Sequence, residues 1–328
     1  MMNPDFQALK TGYYKDIDDD EYFGLKVSPS GLLVASNSTI GHLLKSPAHL
    51  QKELSSAQER TPAMNFGSAY HLRILEPDIF NMRVMNKPQC FASKGNGERC
   101  SNPATYFKTV EEAFCGTHVP RDKDKDLLEG FSATAASGII FLTQGEMDKL
   151  EWMADAIFNH EFASALLQGD SREGVVVWTD PETGIPCRGK IDHWNTDLNV
   201  LVDLKTTKSA LPHSFQKALY EFGYYRQGPM YIDGLAHAGT RLKDFCIIAQ
   251  EKEPPFSVGT YILDDEAMTV GRYHYQDLLL KFKKFQDSMK DDGLFKKLLN
   301  CGYTNEIRPI SLPAWSVDSI YNTFEINQ

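Results

Sequence analysis

Apolar and polar positions along this chain alternate in two rhythms, and the rhythm changes mark its elements. Residues 31–85 read as helices, with Ser46-Pro47 opening the second of them. Within that stretch, Ala63 to Leu75 sets small and apolar side chains at helical spacing, and Gly67, Ser68 and Ala69 permit close packing. Further on, Thr143 and Glu146 form a capping-box signature, followed by Met147, Leu150, Met153 and Ile157 at helical spacing. That pattern predicts a packed helix over Gln144–Asn159. The rhythm then shortens. Val175–Trp178, Ile191–Trp194 and Val200–Leu204 are short β-rich runs bounded by Pro181, Gly184 and Asn195, and the last two read as a hairpin. Helical spacing returns from Ser214 to Ala236, where Phe215, Leu219 and Phe222 make an apolar stripe and Pro229 predicts a kink. A core strand over Phe245–Ala249 follows. A long helix over Asp265–Asp287 then turns Leu278, Leu279, Phe282 and Phe285 inward. No internal repeat is present.

Two stretches break the pattern. The first thirty residues are polar, carry Asp16, Asp18, Asp19, Asp20 and Glu21, and read as a loosely attached extension. From Asn86 to Pro120 the composition shifts to a polar segment that holds three of the six cysteines and the run Lys94-Gly-Asn-Gly97. Arg121 to Asp126 alternates charge and reads as a solvated linker. The tail, with Pro309, Pro313 and Trp315, is expected to pack as an irregular arm. The expected organisation is an extension over 1–30, helices over 31–85, an insertion and linker over 86–125, and the core with its arm over 126–328.

Composition narrows the class. At 328 residues with 42% hydrophobic and 11% aromatic content, the chain can fold as one large domain or two modest ones. No stretch resembles a leader or approaches membrane-span length, so a soluble, cytosolic protein without a membrane partner is expected. In that setting six cysteines suggest metal or structural thiols rather than disulfides. A net charge of −10 argues against general coating of nucleic acid, although a cation or a basic groove can offset it locally.

The candidate chemistry lies in Arg188-Gly-Lys-Ile-Asp192 and, on the next run, Asp203-Leu-Lys205-Thr-Thr207. Strand alternation puts Asp203 and Lys205 on one side, opposite the apolar Val202 and Leu204. If Asp192 meets them, two carboxylates converge beside an amine. They would repel unless a divalent cation such as Mg²⁺ or Mn²⁺ lay between them. The lysine could then hold or deprotonate a water attacking phosphorus. A solvated hairpin face would carry the same letters. His71 is either a core histidine or a metal ligand. Tyr224, Gln227 and Tyr231 share a helix face that is either ordinary surface or aimed at the lysine or a phosphate. Lys205, Lys208, Arg188, Lys190 and Arg226 are either groove cations or solubilising charges. In the insertion, Cys90, Cys100, Cys115 and His118 make a Cys₃His set that suits structural Zn²⁺. Unpaired loop thiols are the plain alternative. An iron–sulfur cluster is less apt because histidine ends the set.

These motifs, in this order, resemble the PD-(D/E)XK nuclease superfamily and, within it, RecE-type (exonuclease VIII-like) phage and prophage exonucleases. The resemblance covers most of the chain. It rests on Ser36-Asn-Ser-Thr-Ile40 with Leu43–His49, Phe66-Gly-Ser-Ala-Tyr-His71 running into Leu75-Glu-Pro77, and Glu173. Asp192, Asp203-x-Lys205 and the Q-x-x-x-Y of Gln227 and Tyr231 complete it. The resemblance implies an α/β restriction-endonuclease-like core, a central mixed sheet flanked by helices, here carrying the Cys₃His insertion. It implies His71, Asp192, Asp203 and Glu173 as ligands of Mg²⁺ or Mn²⁺, Lys205 orienting the nucleophile, and Gln227 positioning it. Substrate contacts would fall to Tyr224, Tyr231, Thr206, Arg226 and Lys208. The implied activity is digestion of double-stranded DNA from 5′ ends, by a homo-oligomeric ring in a bacterial cytoplasm, leaving 3′ strands for a single-strand annealing protein. An endonuclease, a single-strand nuclease and a non-catalytic DNA-binding or assembly module are the alternatives.

Overall fold

The computed structural model describes residues 4–56, 61–107, 112–119, 128–129, 138–169, 171–300, 307 and 309–311. The chain opens with α1 (Pro4–Gln7), β1 (Gly12–Tyr14) and α2 (Asp19–Gly24), then α3 (Asn37–Gly41), α4 (Pro47–Ser55), α5 (Pro62–Leu75) and α6 (Pro77–Arg83). Strand β2 (Val84–Asn86) leads into the insertion, which holds β3 (Tyr106–Phe107), β4 (Ala113–Phe114) and β5 (Leu128–Glu129). Strand β6 (Ile140–Leu142) leaves it, followed by α7 (Gln144–Asn159) and α8 (Glu161–Leu166). The meander β7 (Ser171–Thr179), β8 (Pro186–Asn195) and β9 (Val200–Thr207) comes next. Helices α9 (Pro212–Glu221) and α10 (Tyr224–His237), strands β10 (Asp244–Glu251) and β11 (Val258–Ile262), and helices α11 (Asp265–Ser288) and α12 (Asp292–Asn300) complete the chain.

Six strands form one mixed sheet in the order β1-β7-β8-β9-β10-β11, antiparallel except for the β9–β10 pair. That parallel pair needs a crossover, and α9 with α10 supplies it. Each face of the sheet is covered. On one, Val176, Trp178, Leu201, Phe245 and Ile247 pack with Met230 and Leu235 of α10 and with Leu278, Leu279, Phe282 and Phe285 of α11. On the other, Val202, Leu204 and Ile248 pack with Tyr70 and Ile74 of α5 and with Leu150, Met153 and Ile157 of α7. The architecture is thus the mixed α/β core with flanking helices that the sequence suggested. The caps fall where the sequence puts them: Ser46 caps α4, and Thr143 and Glu146 close their capping box on α7.

Residues 4–25 do not lie loose. Tyr13 of β1 pairs across from Val176, its hydroxyl sits 3.1 Å from Ser171 Oγ, and its ring meets Trp194 edge-on. Phe6, Leu9, Ile17 and Tyr22 are buried with Val175 and Val177. The acidic run that suggested a solvated extension includes Asp18, whose carboxylate accepts from Glu21 N at the start of α2. The linker at 121–126, together with Cys301, Pro313 and Trp315, lies outside the described residues; Ile307 and Ile310 are fully exposed.

The single helix expected over 214–236 is two. Gly223 adopts φ +72°, a left-handed conformation that ends α9 and starts α10. The break leaves Phe222 exposed, stacked on Tyr224 rather than in the core. Beyond it, Pro229 lies inside α10 and has no N–H to offer the carbonyl of Tyr225 one turn earlier. Gly271 of α11 fills that place. A Cβ there would run into the Tyr225 carbonyl oxygen and crowd Pro229, so only glycine lets α11 close on α10. The obstacle is backbone and cannot swing aside. Gly271→Ala should therefore lower stability by about 1–3 kcal/mol, measured by urea unfolding; an unchanged midpoint would show that the helices do not seat on this contact.

Candidate active site

Strand register brings the acidic residues into one row. Arg172 opposes His193, so the next step along the ladder sets Glu173 against Asp192. His193 opposes Val202, and the next step sets Asp192 against Asp203. Three carboxylates thus run across β7, β8 and β9, all of them largely buried. Like charges placed opposite each other in a sheet repel, and the backbone beside these three is irregular. Glu173 takes φ +48°, a region that a glutamate enters only under constraint. Ile191 and Trp194, three residues apart, both pack toward the same core, so strict alternation fails between them at Asp192. Ladder pairing of β8 with β9 stops at His193 and Val202, and Asp192 Oδ2 instead accepts from Leu204 N at 2.8 Å. A side chain has taken over a backbone acceptor's task.

Helix α5 brings His71 to this row, with Nδ1 3.6 Å from Asp192 Oδ1 and 3.8 Å from Glu173 Oε1. These three residues present one ligand atom each, all within 4.8 Å of one another. Asp203 is held apart from that trio: Gln227 Nε2 of α10 donates to its Oδ1 at 2.6 Å, and Lys205 Nζ lies 2.5 Å from its Oδ2. Lys190 bridges Glu173 Oε2 at 2.7 Å and Asp19 Oδ1 of α2 at 2.6 Å. The site draws on both ends of the domain.

Burial opposes every charge here, and its balance against the partners decides each outcome. For Glu173, His71 and Lys190 outweigh burial and bring the carboxyl down to about 2. For Asp203, burial wins over Lys205 and pushes the carboxyl up to about 6, with the Asp192 charge adding to the rise. Burial disfavours the His71 imidazolium, yet Asp192 and Glu173 raise its pKa above the ordinary value. Burial likewise acts against the Lys205 ammonium, but Asp203 and Asp192 hold its pKa above the usual lysine value. Lys205 is therefore a cation at neutral pH.

The remaining expected site residues sit as follows. The Lys205 ammonium lies 5.0 Å from the ring centre of Tyr224, which is half-buried. Tyr231 is buried beside Gly189 of β8. Thr206 is half-buried on β9 and Lys208 is exposed just beyond it. The groove cations need correction. Arg226 is only 4% exposed, with its guanidinium against Gly223 and the Tyr225 ring. Arg188 is buried over the Tyr22 ring, and its guanidinium donates to the Tyr22 carbonyl. Lys190 is committed to two carboxylates. A basic letter near a motif does not report exposure, which depends here on the N-terminal segment folding over β8. Asp19 was missed as a site residue for the same reason: nothing local distinguishes it from its acidic neighbours.

A family model described as a PDDEXK-like domain of unknown function (DUF3799) matches residues 36–292. The chain belongs to this family. In this PDDEXK-like protein, Asp192 and Asp203-Leu-Lys205 lie within the matched span. Residues 4–35, with Tyr13 and Asp19, lie outside the matched span. Among solved structures, the chain is similar to a candidate exonuclease from Eubacterium rectale. The identity is 12% and the TM-score 0.49, over 93% of this chain and 98% of that one. No curated protein matches. No helix among the described residues is long and apolar enough to cross a membrane.

PDDEXK-like domains usually work with a divalent metal, and the donor set fits one. His71 Nδ1, Glu173 Oε1 and Asp192 Oδ1 lie close enough to share one ion, offering two hard carboxylate oxygens that suit Mg²⁺ or Mn²⁺ and one borderline imidazole nitrogen. Asp192→Asn keeps an oxygen for Leu204 N–H, so the fold should survive, while Mn²⁺ affinity should fall at least about tenfold in isothermal titration. Equal affinity in the variant would place the cation elsewhere.

Proposed function

We propose that this protein is a divalent-metal-dependent deoxyribonuclease that digests duplex DNA from 5′ ends and leaves 3′ single strands. The reading is carried by one observation. Three buried carboxylates, an imidazole and a charged lysine meet at the junction of β7, β8 and β9, where the strand alternation breaks. A binding module has no use for so costly a cluster, because burying like charges together is destabilising.

His71, Glu173 and Asp192 would hold the cation, with Asp203 bordering them. When bound, such a cation polarises phosphoryl oxygen and lowers the pKa of water. The residues of the chain do the rest. Lys205, kept cationic by Asp203, is a donor that steadies a phosphate oxygen or the attacking water, and it is unsuited to remove a proton from it. Gln227 is a positioning residue: its amide fixes Asp203 Oδ1 and thereby the orientation of the Asp203–Lys205 pair. Tyr224 walls one side of the lysine, and Lys208 is an expected phosphate contact that is exposed. Lys190 compensates Glu173 and never needs to meet substrate.

The polarity, and with it a ring-shaped homo-oligomer and a single-strand annealing partner, rests on the ordered resemblance to RecE-type exonucleases. The test is digestion of linear duplex labelled at either the 5′ or the 3′ end, with Mg²⁺ or Mn²⁺. We expect early release of the 5′ label as mononucleotide, no attack on closed circles, and a rate loss of at least about a hundredfold in Asp203→Ala and Lys205→Ala. Undiminished digestion by those variants overturns the assignment of the site. Prior release of the 3′ label overturns the polarity.

A further inference from the structure

The insertion between β2 and β6 has almost nothing to fold around. Among its described residues from 87 to 119, the buried side chains are Cys90, Cys100, Cys115, Ala104 and Ala113. The two alanines lean on Phe141 of β6, outside the segment, and Phe91, a large apolar residue of the insertion, is exposed. Burial of two methyl groups contributes roughly 1–2 kcal/mol, far below the cost of ordering some thirty residues. Yet the segment is well knit. Cys90 N bonds Asn102 O, Cys100 N bonds Ala92 O, and Phe91 N bonds Ala113 O, at 2.9, 2.8 and 2.7 Å. Something other than apolar burial must hold these loops together.

The three thiols supply the candidate. Cys90 and Cys115 Sγ lie 3.6 and 3.4 Å from His118 Nδ1, and Cys100 Sγ lies 4.0 Å from Cys115 Sγ. All four donor atoms fall within 4.8 Å of one another. Around a tetrahedral zinc ion, ligand sulfurs sit roughly 3.8 Å apart and a sulfur and an imidazole nitrogen roughly 3.6 Å, given the usual bond lengths. The observed spacings match that geometry. They do not match a disulfide, whose sulfurs are bonded at about 2.05 Å. The turn from Cys115 to His118, closed by His118 N donating to the Cys115 carbonyl at 2.9 Å, brings two ligands to one point. Asn102 Nδ2 approaches Cys115 Sγ at 3.9 Å, and Arg99 ties down the backbone beside Cys90 through the carbonyls of Cys90 and Gln89.

We propose that Cys90, Cys100, Cys115 and His118, the last through Nδ1, bind one zinc ion that is the folding nucleus of the insertion. The set is closed. Four protein donors fill a tetrahedron and three of them are buried, so no position is left for water or substrate, and the role is structural. The site is separate from the His71–Glu173–Asp192 cluster, and the proposal does not depend on the nuclease reading.

The test begins with the full chain purified without chelator. Elemental analysis should give one zinc per chain, released by a mercurial thiol reagent with the stoichiometry of a thiolate site. Exchange of wild-type protein into Co²⁺ should give sulfur-to-metal charge-transfer bands and the intense visible bands of tetrahedral coordination, whatever the variants do. Cys100→Ser and His118→Ala should each retain at least about tenfold less zinc at a fixed chelator concentration, while Mn²⁺ binding at the other cluster is unchanged. Absence of zinc with three freely titrating thiols overturns the proposal. So does iron in its place, an octahedral cobalt spectrum, or full zinc retention in both variants.

Discussion

Everything at the centre of this protein follows from burying three carboxylates side by side. Glu173, Asp192 and Asp203 share one row of the sheet, and no single element could neutralise them. The compensation therefore comes from far apart in the sequence: His71 from α5, Lys190 from β8 anchored by Asp19, and Lys205 from β9 steadied by Gln227. Two ammonium groups do not balance these carboxylates when one of the two is shared with Asp19. The remaining negative charge would be met by the proposed divalent cation among His71, Glu173 and Asp192. The positive φ at Glu173 and the interrupted ladder at Asp192 both fall on this row of carboxylates.

The two lysines divide the work by where they are held. Lys190 is clamped between carboxylates on both sides and has no free direction in which to act. Lys205 has one carboxylate partner, an aromatic face opposite, and a side chain that is 17% exposed, so it can still reach a substrate oxygen. A lysine drawn toward one buried acid keeps its proton firmly, which makes it an electrostatic tool. The proposed chemistry then takes its directionality from Gln227. By holding one oxygen of Asp203, that amide leaves the other facing the ammonium.

Much of this was legible because periodicity and local chemistry agreed. The hairpin motif worked as sequence evidence since alternation put Asp203 and Lys205 opposite two buried apolar residues. The capping box at Thr143 marked the start of α7 for the same reason: its signal is complete within four residues. What failed was non-local. The stripe of Phe215, Leu219 and Phe222 continues the helical rhythm up to Gly223, and only the left-handed backbone there separates two helices. An isolated glycine in a helical pattern was a usable signal of that break. Asp19 read as solvated because its partner, Lys190 on β8, is set by tertiary folding, whereas Asp18 caps α2 locally through the Glu21 amide. Likewise no rule of composition could tell that Arg188 and Arg226 would be sealed under α2 and Gly223. The positive φ of Glu173 has no sequence signature at all, since nothing in the local letters marks a glutamate for that conformation.

The two clusters of ligating side chains also show how the two proposed metal sites would be kept apart. At the sheet the donors are carboxylate oxygens and one imidazole, partly open and surrounded by charge. In the insertion they are three buried thiols and an imidazole, with Ala92 packed against the thiols. Hard and soft donor sets select different ions, so neither site depends on affinity alone to exclude the other's metal. Their attachment differs as well. The carboxylate row is part of the main sheet and cannot shift without disturbing both cores. The insertion hangs from the β2–β6 pair through Phe141 and a few backbone bonds, including Lys87 N to Leu142 O. Among the described residues, loss of order in the insertion would reach the carboxylate row through the β2–β6 pair and the helices beside it, α6 and α7, and the capping box of α7 and its packing against α5 stabilise that helix independently. The structure therefore separates what folds the appendage from what tensions the site.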